Sequence, residues 1–588
     1  MRTDLFAYVL LPTGRWQLKR LLALTAVVAL GAAALTAPAQ AAPSSAEPAT
    51  SKEYVVLYKE GASAADAQKA IQAAGGTIVK VNTAVGLATV STTNAGFVDA
   101  IKSNPAIDGV AGNRVIGAAP ESARVKADVR KAIEAKAVEK EGRGHGKFPK
   151  WNHKPSAEPL DDLQWDLDQM KANEAHKYEK GDKRVLVGIL DTGVDGTHPD
   201  IAPNFSNALS RNFTVDIPTD ANGDRIDGPC AEEPDASCND PANVDEDGHG
   251  THVASSIASP LNKLGVAGVA PNVTIVNIRA GQDSGYFFLQ PSVDALTYAG
   301  DIGIDVVNMS YYIDPWLFNC VDNAADSAED QLEQATIIKA TQRALNYAHR
   351  KGVTLIAAAG NGATDYTKTL TDASSPDFAS TPGEAPRSRT IPPSCISMPS
   401  EGDHVVPVSS TGISTRKSYY SDYGNGYVAV AAPGGDVYDT PGNTRDITKA
   451  TLSAYPESLA RANGEIDENG DPTVEYVVKD CRGSVCAYYQ YLQGTSMASP
   501  RAVGVAALIV SKYGRNGRGG FGMDPDDVER VLKATATDTR CPAGGSYTYT
   551  RHLPSGATVT ATHTCEGGKS NNGFYGQGIV NALRAVGH

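Results

Sequence analysis

Short, nearly continuous apolar runs recur along the second two-thirds of the chain: Arg184–Leu190, Val273–Ile278, Ile304–Met309, Val353–Ala358, Val405–Val408 and Val428–Ala432. Runs of this length suit strands buried on both faces. Between them, apolar positions fall at helical spacing over Thr251–Ala258, Ser292–Ile302, Gln334–Arg350, Ala498–Lys512 and Pro525–Ala534. Strands alternating with helices predict an α/β fold built on a doubly wound parallel sheet, with functional residues at the carboxyl ends of the strands. Nearer the N-terminus the pattern differs. Strands are predicted at Glu53–Lys59, Thr77–Val81, Gly86–Val90 and Ile107–Ile116, and helices at Ala64–Ala74 and Asn94–Ser103. This is the order of a small ferredoxin-like α+β module, the split βαβ arrangement.

Composition adds the compartment. Arg15, Lys19 and Arg20 precede an apolar run from Leu21 to about Ala37, and Ala39-Gln40-Ala41 follows, so residues 1–41 read as a secretory signal peptide. No later stretch is apolar and long enough to span a bilayer, so no stable membrane anchor is expected. The eight cysteines are even in number and form no CxxC pair, which fits disulfides in an exported protein. Proximity suggests Cys230 with Cys238, Cys481 with Cys486, Cys541 with Cys565 and Cys320 with Cys395, although eight cysteines allow about 105 connectivities. A net charge of -14 argues against nucleic acid as a partner. The division is therefore 1–41 signal, 52–120 compact module, 121–160 charged linker and 161–588 main domain. Residues 121–155 are basic within an acidic protein, and the linker reads as exposed, with His145 and His153 as solvated side chains.

Four local patterns carry chemistry. Asp191 ends the first strand in Asp191-Thr192-Gly193. His249 precedes a helix in Gly248-His249-Gly250-Thr251-His252, where His252 reads as a packing residue rather than half of a metal pair. Asn361 ends a buried strand in Ala359-Gly360-Asn361-Gly362. Ser496 opens a helix in Gly494-Thr495-Ser496-Met497-Ala498-Ser499-Pro500. Each alone is an ordinary cap or turn. Together they supply an acid that orients a base, the base, a nucleophile at the positive end of a helix, and an amide for an oxyanion.

These motifs, in the order Asp, His, Asn, Ser, resemble those of the subtilisin-like serine peptidases from about Leu163 to the closing Tyr575–Ala582. The triad order and the oxyanion asparagine are the family's known arrangement, not a deduction from spacing. The resemblance implies a secreted serine endopeptidase, monomeric, acting on protein or peptide substrates with no cofactor needed for its chemistry. It implies Asp191, His249 and Ser496 as catalytic, Asn361 in the oxyanion hole, and Ser310, Tyr311, Tyr312, Ala358 and Gly360 as substrate-binding. It also implies that module 52–120 is a propeptide, acting as intramolecular chaperone and inhibitor and removed by self-cleavage between about Gly117 and Leu160. The alternative is a catalytically silent secreted binding protein on the same fold.

The chain departs from the family pattern in places. Tyr312 stands where glycine is usual, which predicts a restricted or rebuilt P1 pocket, and Arg501 replaces a histidine after Pro500, a peripheral change. Asp200 matches a family calcium ligand, yet its partner loop, Leu261–Pro271, is one residue shorter than the calcium-binding form. The acidic stretch from Asp216 to Asp247, with Asp220–Asp224, and the run Asp467–Asp471 suggest either calcium or acidic turns. Neither has the glycine and terminal glutamate of an EF-hand loop.

Overall fold

A computed structural model describes residues 51–113, 137–141, 143, 158–219, 226–232, 236–376, 388–517 and 520–588. The expected signal peptide, most of the linker with His145 and His153, and the acidic run Asp220–Asp224 lie outside these residues. Among the described residues no helix is long and apolar enough to cross a membrane.

The main domain is built on a seven-stranded sheet. Its order is Val430–Pro433, Val405–Thr411, Thr354–Ala358, Val306–Met309, Leu186–Leu190, Thr274–Arg279 and the short Arg211–Asn212. All neighbours run parallel. Every expected strand is present within a few residues. The continuous apolar runs follow from burial on both faces, because helices cover each side. Helices His249–Ala258 and Thr495–Tyr513 pack into one core with Val187, Ile189 and Ile356. Helices Leu289–Ile302 and Ala328–Arg350 pack into the other with Leu190, Val307 and Leu355. Ser327 and Asp330 form a reciprocal cap at the start of the long helix, satisfying two of its free donors.

The main sheet does not account for the whole domain. A three-stranded antiparallel sheet, Thr451–Tyr455, Val485–Leu492 and Val477–Arg482, precedes the Ser496 helix. A hairpin, Ser546–His552 with Thr558–Thr564, follows it. The disulfides join Cys230 to Cys238, Cys320 to Cys395, Cys481 to Cys486 and Cys541 to Cys565, the pairing that proximity suggested.

The N-terminal module is an antiparallel sheet in the order Thr77–Asn82, Leu87–Thr92, Lys52–Tyr58, Ile107–Gly112, with two helices on one face. Its other face, including Val55, Leu57 and Leu87, is buried against helices 289–302 and 328–350. Polar contacts fix the register of docking. Arg343 donates to Tyr58 O at 2.7 Å and to Asp108 Oδ2 at 2.6 Å, and Asn82 Nδ2 donates to Asp294 at 2.8 Å. Gly112 N donates to the buried Glu333 carboxyl at 3.0 Å.

Candidate functional site

Asp191, His249, Asn361 and Ser496 meet at the carboxyl end of the sheet, as the alternation of strands and helices predicted. Asp191 is fully buried, and its Oδ1 lies 2.7 Å from His249 Nδ1 while also accepting Thr192 N at 2.8 Å. The close approach of strand end and helix requires Gly250. A Cβ there would fall 2.0 Å from Gly193 O and 3.0 Å from Asp191 Cβ. Asp245, which the sequence reading passed over, ties the same two elements. Its carboxylate accepts Gly248 N and Thr251 N, each at 2.9 Å, Thr251 Oγ1 at 2.6 Å and Thr192 Oγ1 at 3.1 Å.

Ser496 sits in the first turn of helix Thr495–Tyr513 and is 5% exposed. Pro500 lacks the N–H that would bond the carbonyl four residues back, that of Ser496. Ser310 Oγ donates to that carbonyl instead, at 3.1 Å. Asn308 extends the brace, donating to Ser310 Oγ at 2.9 Å and accepting Ser499 Oγ at 2.7 Å. Asn361 Oδ1 accepts both Thr495 N and Thr495 Oγ1 at 2.9 Å, which fixes the orientation of its amide. Gly360 N donates to the same Thr495 hydroxyl at 3.1 Å. A Cβ on Gly494, whose φ is 153°, would stand 3.5 Å from Asn361 Nδ2. Glycine therefore keeps the approach to that amide open.

A cavity of about 600 Å³ joins His249, Asn361 and Ser496 to Ser310, Tyr311, Tyr312, Ala358 and Gly360. The Tyr311 ring stacks on Phe287 with centroids 4.1 Å apart, and burial pushes its hydroxyl pKa up. Tyr312 is half-buried on the cavity wall, so a large side chain does stand where the family pattern has glycine.

One expectation needs correction. The linker is not exposed throughout: residues 137–141 enter the same cavity as a helical turn. Glu139 Oε1 lies 3.5 Å from His249 Nε2, the nitrogen that faces away from Asp191. Burial opposes the charged imidazole, but the Asp191 and Glu139 carboxylates outweigh it and hold the His249 pKa well above its ordinary value. A Val-Glu-Lys-Glu stretch within a basic linker carries no pattern that could have announced this contact. Arg501, expected as a change that leaves the triad intact, lies in the core. It is fully buried, ion-paired with the fully buried Asp166, and donates to Ser256 O at 3.0 Å. His252 beside it is a packing residue as expected, with Nε2 3.3 Å from Thr451 O and a pKa lowered to about 3 by burial and then by Arg501.

The calcium candidates find other partners. Asp200 Oδ1 accepts Asn262 Nδ2 at 2.9 Å, and Oδ2 accepts Tyr489 OH at 3.2 Å and Val266 N at 3.3 Å. Calcium takes a shell of oxygen acceptors. Asp200 accepts the protein's own donors here, while burial and the neighbouring Glu158 carboxylate push its pKa up and the buried Asn262 Oδ1 accepts no hydrogen bond, so the oxygens gathered at this loop are of the kind calcium takes. In the Asp216–Asp247 stretch, Asp216 and Asp240 join Asp283 around the buried Arg279 guanidinium, which already supplies a cation. Asp467 closes an acidic turn by accepting Asn469 N at 2.9 Å and Asp471 N at 2.8 Å.

The chain matches the model of the subtilase family over residues 182–578. It is 28% identical to the thermophilic serine proteinase of Bacillus sp. (strain AK1) across 57% of this chain and 54% of that one. It is also 28% identical to the nisin leader peptide-processing serine protease NisP of Lactococcus lactis subsp. lactis, across 63% of this chain and 46% of that one. The chain thus spans about half the length of these two curated relatives. Among solved structures, the epidermin leader peptide processing serine protease of Staphylococcus aureus superposes with a TM-score of 0.57 at 20% identity. That alignment covers 91% of this chain and 99% of the other.

Proposed function

We propose that this chain, which belongs to the subtilase family, works as a secreted serine endopeptidase made as a self-processing zymogen. The observation that carries the reading is the 2.7 Å contact between the buried Asp191 Oδ1 and His249 Nδ1, with His249 lining a cavity that Ser496, at a helix N-terminus, also lines. In the proposed reaction Ser496 Oγ attacks the scissile carbonyl while His249 Nε2 accepts its proton. Asp191 keeps the imidazole in the tautomer that presents Nε2 and stabilises its protonated form. Asn361 Nδ2 and the Ser496 N–H donate to the oxyanion. His249 then gives the proton to the departing amine, and water, deprotonated by the same imidazole, releases the acyl group from Ser496.

Residues 52–120 are proposed as the propeptide. Their sheet buries apolar side chains on two helices of the main domain, as an intramolecular chaperone would. Export and the signal peptide at 1–41 belong to the same proposal. Ser496→Ala is expected to abolish peptide cleavage, self-processing and labelling by a fluorophosphonate. Unchanged cleavage in that variant would overturn the assignment. A correctly processed wild-type protein that never labels would favour the silent binding protein instead.

A further inference from the structure

The linker places a second carboxylate in the cavity, and the protein surrounds it. Glu141 lies two residues after Glu139, and four side chains donate to it. Tyr419 OH and Gln493 Nε2 approach Oε2, the latter at 3.5 Å. Tyr438 OH at 3.2 Å and Arg551 Nη1 at 3.3 Å approach Oε1. With the linker in place Tyr438 and Gln493 are 1% and 0% exposed, and Gln493 is held apart from the linker by Val437 N, which donates to its Oε1 at 2.8 Å. The Arg551 guanidinium lies 3.8 Å above the Tyr419 ring, which orients its charge towards the carboxylate. Arg551 forms an ion pair with Glu141 and with no other acid among the described residues.

The four donors come from separate parts of the chain. Gln493 precedes the nucleophile turn, Tyr419 and Tyr438 lie on loops after sheet strands, and Arg551 stands on the hairpin 546–552 and 558–564. They converge on the point where the Glu141 carboxylate sits, with Tyr419, Tyr438 and Arg551 also touching one another. Departure of the linker would take this acceptor from a guanidinium, two hydroxyls and an amide, and the Val138 carbonyl from the same amide, leaving converging donors for another carboxylate or water.

We infer that Tyr419, Tyr438, Gln493 and Arg551 form a carboxylate-binding subsite that selects substrates with an acidic side chain on the leaving-group side of the scissile bond. The side follows from chain direction: Glu139 is at His249 Nε2, the nitrogen that serves the leaving amine, and Glu141 is further towards the C-terminus. The inference rests on the peptidase reading above. In the uncleaved chain the protein fills the subsite with its own glutamate.

The test uses the secreted, processed protein and peptides that differ only by Glu or Gln at each of the first four positions after the cleaved bond. At one position kcat/KM for the Glu peptide is expected to exceed that for the Gln peptide by roughly 10-fold or more, the scale of a charge-assisted hydrogen bond. The ratio should shrink as salt is raised and approach unity in Arg551→Gln. Equal rates for Glu and Gln peptides, with fluorophosphonate labelling of Ser496 intact, would overturn the subsite and leave the peptidase reading standing. A preference that persists undiminished in Arg551→Gln would overturn its assignment to this cluster. Loss of both cleavage and labelling in the wild type would overturn the peptidase reading and the subsite with it. The wild-type comparison needs no variant, so a misfolded Arg551→Gln does not remove the test.

Discussion

Replacing Glu139 by Gln tests whether the linker restrains the His249 imidazole. The carboxylate lies 3.5 Å from Nε2, and the two side chains are only 13% and 12% exposed. Two unit charges at that distance attract by about 5 kcal/mol at an effective dielectric of about 20. Desolvation and salt reduce the net effect to about 1–2 kcal/mol, in the direction that raises the His249 pKa. The direction follows from linkage. Docking of the turn raises this pKa, so its grip is strongest where the released imidazole would still be charged, and is lost as pH rises through the docked value. A protonated His249 cannot accept the Ser496 proton. Self-processing of the refolded full-length chain, followed on gels across pH, should therefore show an acidic midpoint shifted to lower pH in Glu139→Gln, with about 10-fold faster conversion below the wild-type midpoint. An unchanged midpoint in a normally folded variant would refute the reasoning.

Two further predictions concern stability. Burial raises the Glu333 pKa to about 7, with Trp316 Nε1 and Gly112 N partly offsetting it. Charging this group between the ordinary glutamate range and pH 7 should weaken docking of the 52–113 module as pH rises. In the Ser496→Ala chain, hydrogen exchange in strand 107–112 should therefore be faster relative to the unfolded rate at pH 8 than at pH 5, and Glu333→Gln should flatten the difference. Arg501→Ala strands the buried Asp166 carboxylate and should cost about 3–5 kcal/mol in denaturant unfolding. Arg501→Met with Asp166→Leu should recover most of that loss, and a double variant as unstable as the single one would show that the pair itself is not the cause.

The sequence alone determined the main strands and helices, because strands covered on both sides must be apolar throughout and helices must be apolar on one stripe. It also offered Asp191, His249, Asn361 and Ser496 as a candidate set, not from any one local pattern, each of which alone is an ordinary cap or turn, but from the four together in an order that resembles a known family. What depends on meetings between distant segments was hidden. Nothing near Arg501 announces Asp166, more than three hundred residues earlier, and nothing near Asp245 announces its hold on Thr192. The same is true of the linker. By composition it is solvated, yet Glu139 and Glu141 find an imidazole and a guanidinium that only the folded chain brings to one cavity. Charge pattern sets how polar a segment is, whereas tertiary structure decides which opposite charges it reaches.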